Sequence, residues 1–258
     1  MKKLQIAFGL LFILGMIQAQ QSNNGFLLSG SVIYEELIKL DIQLEGVDAQ
    51  MAAQIPKERK TEKVLHFTEE AALFENHHKD DPEEDMPMEG SGMMIKMYEP
   101  DNKTYIDLIN KKIIEQQEFM SRVFLIESDL EAEKWKMTGN LQTILDYACQ
   151  EATTMVDGKE VHAWFTPQIA VPAGPGRYSN LPGLVLAVEM NDGDQELKAI
   201  RVELKPVDTN VLKKPTKGKK VTREEYESIV EEKLKEMGVE SDGSGGSSTH
   251  SVVIKIQQ

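Results

Sequence analysis

The 258-residue chain reads as a mainly β protein built on an antiparallel sheet, with one short helix and one C-terminal amphipathic helix. Two patterns carry this reading. Apolar residues recur with a period of two in many short runs, and Gly, Asn and Asp turn signals separate those runs at close intervals. A third observation excludes an α/β fold: strands do not alternate with crossover helices.

In chain order, the first twenty residues read as a cleaved export signal. Lys2 and Lys3 give a positive end, Ile6 to Ile17 is apolar apart from glycines at 9 and 15, and Ala19 suits a cleavage position. The apolar run is well short of the ~20 residues a spanning helix needs, and no cysteine lies at the cleavage point to carry a lipid. The expected organisation is therefore 1–20 signal, 21–240 one β-rich domain, and 241–258 a Gly/Ser linker with a terminal edge strand. The expected location is the periplasm or the inner face of an outer membrane.

Alternation marks strands at Gly30–Glu36, Ile38–Glu45, Lys63–Phe67, Met94–Tyr98, Thr104–Ile109, Lys112–Gln116, Arg122–Glu127, Tyr147–Val156 and Val161–Thr166. Leu184–Met190 and Ile200–Lys205 pair as a hairpin across Asn191-Asp192-Gly193-Asp194, and Asp157-Gly158 closes another, because these residues tolerate positive φ. Asp48 caps the short helix, which Pro56 ends. Thr222 and Glu225 form a capping box that opens the second helix, running to Met237. Tyr226, Ile229, Val230, Leu234 and Met237 give that helix one face to bury. Residues 241–248 have the composition of a flexible linker, and Ser251–Ile256 alternates as an edge strand.

The net charge of −14 argues against nucleic acid as a partner, and losing the two lysines of the signal deepens it to −16. Cys149 is the single cysteine, so no internal disulfide forms and the core supplies the stability. No Gly-x-Ser-x-Gly elbow, phosphate-binding loop, His-Glu-x-x-His or paired cysteine occurs, and no catalytic residue or cofactor is assigned. Cys149 and His162 could act as nucleophile and base. An alternating strand instead puts Cys149 on the face of Tyr147 and in the core, where thiols are inert.

Two segments suggest binding. His77, His78, Met86 and Met88 gather imidazoles and thioethers suited to copper, although an acidic solvated loop has the same composition. Trp164-Phe165-Thr166-Pro167, Tyr178 and Asn180-Leu181-Pro182-Gly183-Leu184 form the most distinctive stretch. Either Pro182-Gly183 is a tight turn that aims Leu184, Val185, Leu186 and Val188 inward, or the loop presents Trp164, Phe165 or Tyr178 to a partner.

That stretch, with Lys134-Trp135-Lys136-Met137-Thr138-Gly139 and Tyr147-Ala148-Cys149-Gln150-Glu151-Ala152, resembles the GLPGLI family of envelope proteins, found mainly in Bacteroidota. Asn180, Val185 and Asp146 depart from its pattern. Asn and Asp imitate glycine at positive φ, so the turns should survive. The resemblance implies a curved sheet or half-barrel and a non-enzymatic binding or accessory protein for an envelope protein or an apolar ligand. A metal-handling protein and an envelope enzyme are the other classes considered.

Overall fold

The computed structural model describes residues 28–40, 56–77, 86–87, 94–97, 99–130, 134–156, 158–191, 193–208, 210–237 and 254–257. The strands are β1 Gly30–Lys39, β2 Glu58–Phe67, β3 Ala71–Asn76, β4 Met86–Pro87, β5 Met94–Met97, β6 Lys103–Asp107, β7 Lys112–Phe119, β8 Arg122–Asp129, β9 Lys136–Ile144, β10 Tyr147–Val156, β11 Lys159–Thr166, β12 Leu184–Met190, β13 Gln195–Leu204, β14 Lys219–Val221 and β15 Ile254–Gln257. The helix α1 spans Arg223–Glu236.

Twelve strands form one open sheet in the order β14-β8-β7-β6-β3-β2-β1-β13-β12-β11-β10-β9. All pairings within it are antiparallel except β14 with β8. The sheet curves: Ile106 of β6 and Ile113 of β7 share one buried cluster with Cys149 and Ala152 of β10, from the far side of the order. The face carrying that cluster is the inner face. The predicted mainly β, curved antiparallel sheet with a C-terminal helix is the observed fold.

The inner face is filled by the 17-residue connection between β11 and β12. Ile169, Val171, Ala173, Tyr178 and Leu181 from this connection are buried against the sheet. Backbone bonds from Asn180 N to Pro172 O, Leu184 N to Ile169 O and Val185 N to Ala173 O replace the missing ladder. Tyr34 of β1 donates from Oη to Val185 O at 2.6 Å, tying the sheet to the strand that leaves this segment. Helix α1 rests on the same face near β8, where Tyr226 and Val230 bury against Phe119, Phe124 and Ile126. Its capping box forms as expected: Thr222 Oγ1 accepts from Glu225 N, and Glu225 Oε2 accepts from Thr222 N.

Several expectations needed adjustment. The strand starting at Ile38 is the continuation of β1, which runs unbroken to Lys39. The strand predicted to end at Ile109 stops at Asp107, because residues 108–110 turn. β13 begins at Gln195, five residues before the predicted Ile200, and pairs Met190 with Gln195 directly across the turn. β3, β4, β9 and β14 were not anticipated. The signal at 1–20, the helix from Asp48 and the linker lie outside the described residues. Of the terminal edge strand, Ile254–Gln257 is described, and it pairs with β5 at the edge of a separate sheet, β15-β5-β4.

Candidate functional site

Strand alternation places Glu36 beside Val32 and Tyr34, Lys63 beside Leu65 and Phe67, and Asn76 beside Ala72 and Phe74, all on the inner face. Polar groups therefore occupy core positions at one end of β1, β2 and β3. Glu36 is 2% exposed and Lys63 7% exposed. Burial of this kind is tolerated when the charges are paired and hydrogen-bonded.

The pairing is extensive. Lys63 Nζ donates to Asn76 Oδ1 at 2.7 Å and to Glu99 Oε1 at 2.6 Å, and lies 3.5 Å from Glu36 Oε2. Glu36 also accepts from Thr61 Oγ1 at 3.0 Å and from Gln195 Nε2 at 2.9 Å. Asn76 Nδ2 donates to Pro100 O at 2.9 Å, and Arg59 pairs with Glu99 at 3.7 Å. Three acceptors surround the ammonium, so Lys63 organises the wall.

This wall bounds a cleft with about 90 Å³ of free space. Asn102, at the entry to β6, Thr104 of β6, and Glu115 and Gln117 of β7 also line it, as does the turn Pro175-Gly176-Arg177-Tyr178 of the inner-face connection. Phe74, Met190 and Leu197 supply its apolar lining. Arg223 at the start of α1 forms an ion pair with Glu115, 1% exposed, so the helix N-terminal end braces the same wall.

A second polar cluster lies on β9, β10 and β11. The register between β9 and β10 shifts at Gln150/Ala152, leaving Glu151 opposite Thr138-Gly139-Asn140. Its carboxylate accepts from Thr138 Oγ1 and Asn140 Nδ2, each at 2.6 Å, and meets His162 Nδ1 at 2.8 Å. Glu151 is held below its ordinary value by these bonds, which outweigh its burial; the Glu151 bond raises His162.

The residues singled out from sequence separate into two groups. Phe165, Tyr178, Leu181, Gly183 and Leu184 are buried, Trp164 is half-buried, and Pro167, Asn180 and Pro182 are exposed. The reading of Phe165 and Tyr178 as surface anchors is thus corrected: Phe165 faces the core, and Tyr178 Oη donates to Met190 Sδ at 2.7 Å. The turn reading holds, since Leu184, Val185, Leu186 and Val188 have no exposed surface and Gly183 takes φ +155°. Asn180 and Asp146, the residues standing in for glycine, have φ of +65° and +66°.

Cys149 is buried, with its thiol pushed up to about 11 by burial, and His162 is committed to Glu151. His77 lies 4.0 Å from Glu62. Met86 falls in β4, while His78 and Met88 lie outside the described residues. Among the described residues, no three His, Cys, Asp or Glu side chains converge as metal ligands, and no helix is long and apolar enough to cross a membrane.

The wall of Glu36, Lys63, Asn76 and Glu99 was missed. The available signal was parity: each of the first three shares an alternating face with large apolar residues, where a polar side chain has a reason to be.

Residues 90–227 match the family described as the N-glycanase peptide, N-terminal domain. Structures of PNGF-II in space groups P21 and C2 share the fold at 16% and 17% identity, each with a TM-score of 0.50. The alignments cover 79% of this chain, which spans 33% and 32% of those chains, about a third of their length. No curated protein matches the sequence.

Proposed function

The chain belongs to the N-glycanase peptide, N-terminal domain family, and from that premise we propose that it is a non-catalytic binding module whose inner-face cleft holds a hydroxyl-rich, saccharide-like ligand. The observation that carries this is the cleft wall. Carboxylate, amide and guanidinium groups line a small depression together with Phe74 and Tyr178. A sugar hydroxyl both donates and accepts, so it is matched by a wall that offers carboxylate acceptors beside amide and guanidinium donors. Because Lys63 locks that wall in advance, little side-chain order is lost on binding.

An apolar ligand is a poorer fit. The connection 167–183 already fills the inner face with Ile169, Val171 and Leu181, and what remains is a small cleft walled by the Glu36, Lys63 and Asn76 network. In this reading the module works outside the cytoplasm, which the GLPGLI-like motifs and the signal-like composition of residues 1–20 support. The role as an accessory to a larger envelope protein is part of the same proposal.

Calorimetric titration of the chain with neutral monosaccharides and short glycans tests the reading. Binding should be lost in the double variant Asn102→Ala/Gln117→Ala, while the fold loses only the bond from Glu118 N to Asn102 Oδ1, about 1 kcal/mol. Binding that ignores those substitutions removes the cleft as the seat.

A further inference from the structure

We propose that the cleft selects an acidic sugar, seating the ligand carboxylate on the guanidinium of Arg177; this rests on the saccharide reading above. The first support is the pairing of the cleft's own charges. Lys63 and Arg59 are matched by Glu36 and Glu99, Glu115 by Arg223, and Glu75 by Lys103. Arg177 remains. Among the described residues its guanidinium makes no hydrogen bond or ion pair, and it lines the cleft together with the paired wall. Each acid of the lining already has a cation of its own, and Arg177 is the one lining cation left without an acid among the described residues.

The second support is how firmly the residue is held. Tyr178 N donates to Pro175 O at 3.1 Å and Ser179 N to Arg177 O at 2.9 Å, closing a turn around it. Gly176, at φ +59°, makes the turn possible. Gly174 lets it pack, since a Cβ there would meet Tyr178 O at 1.9 Å. Buried Tyr178 anchors the next position. The turn fixes the backbone position of Arg177, and its planar guanidinium fork offers two parallel bonds to a carboxylate.

Size completes the assignment. The free space of about 90 Å³ is less than the ~150 Å³ of a cavity that holds benzene. It admits a carboxylate end group and leaves the sugar ring outside, with the side-chain amide of Gln117 as a further polar group of the lining. That amide also makes no hydrogen bond among the described residues.

Methyl β-glucuronide and methyl β-glucoside form a matched pair, differing only in a carboxylate against a hydroxymethyl group. Calorimetry on the full chain should show the glucuronide binding about tenfold tighter, as a charge-assisted bond implies. Arg177→Gln should cut that preference below about twofold, and Arg177→Lys should keep part of it. Neither should shift the melting temperature. Equal affinity for the two glycosides, or a preference that survives Arg177→Gln, overturns the carboxylate assignment and leaves the saccharide reading standing. Failure of every glycoside and glycan to bind overturns both.

Discussion

Lys63 and Asn76 face one another across β2 and β3, and the lysine ammonium donates to the asparagine Oδ1 at 2.7 Å inside the inner face. Asn76 ends β3, and Glu99, the second acceptor, lies beyond β5 in the chain. One buried cation thus ties β1, β2, the end of β3 and the segment leading into β6. Removing the cation strands acids that burial cannot neutralise cheaply. Lys63→Met should destabilise the fold by about 3–5 kcal/mol in urea denaturation, and adding Glu36→Gln should restore part of the loss. A loss below ~1 kcal/mol would show the network to be dispensable.

At Gly183 a Cβ would lie 2.1 Å from Thr166 O, and φ is +155°. Gly183→Ala is therefore expected to cost well over ~1 kcal/mol, since both space and backbone forbid it. Asn180→Gly should be nearly neutral in the same melting experiment, because φ +65° suits glycine as well as asparagine.

Tyr178 is a core residue, 6% exposed. Tyr178→Ala should destabilise by about 3–5 kcal/mol, as deletion of a buried aromatic does. An unchanged melting temperature would return the ring to the surface.

The Glu151–His162 pair makes stability depend on pH in a defined direction. Glu151 has a depressed folded pKa, so its contribution is present above its unfolded value and lost as pH falls through the folded one. His162 has a raised folded pKa, so its contribution is complete below about 6.5 and fades as pH rises through the folded value. The melting temperature should therefore fall on both sides of the window between these groups, and His162→Gln should remove the decline on its alkaline side. The thiol of Cys149, buried and pushed up to about 11, should stay unreactive to a disulfide reagent until the protein is unfolded.

The sequence made legible those elements whose two faces differ. β10 and β12 were read with the observed bounds, and the capping box located α1. β3 was not seen because Ala71, Ala72 and Leu73 are buried in succession, erasing the period of two. β9 was hidden for the opposite reason: eight of its nine residues are exposed and Gly139 interrupts it, so no burial pattern is written there. The cleft was illegible because its wall unites residues 36, 63, 76 and 99 through sheet pairing, and no local motif encodes that meeting. The family-like loop was legible as a turn, and its aromatic rings serve the core.

The most direct test of the central claim is an amide and methyl chemical-shift map of the chain titrated with a ligand from the glycan panel that calorimetry shows to bind. The account predicts saturable shifts confined to the cleft: the side-chain amides of Asn76, Asn102 and Gln117, the methyl groups of Leu197 and Met190, and the backbone of residues 175–178. Shifts centred instead on β9 or on α1, with the cleft unmoved, would contradict it.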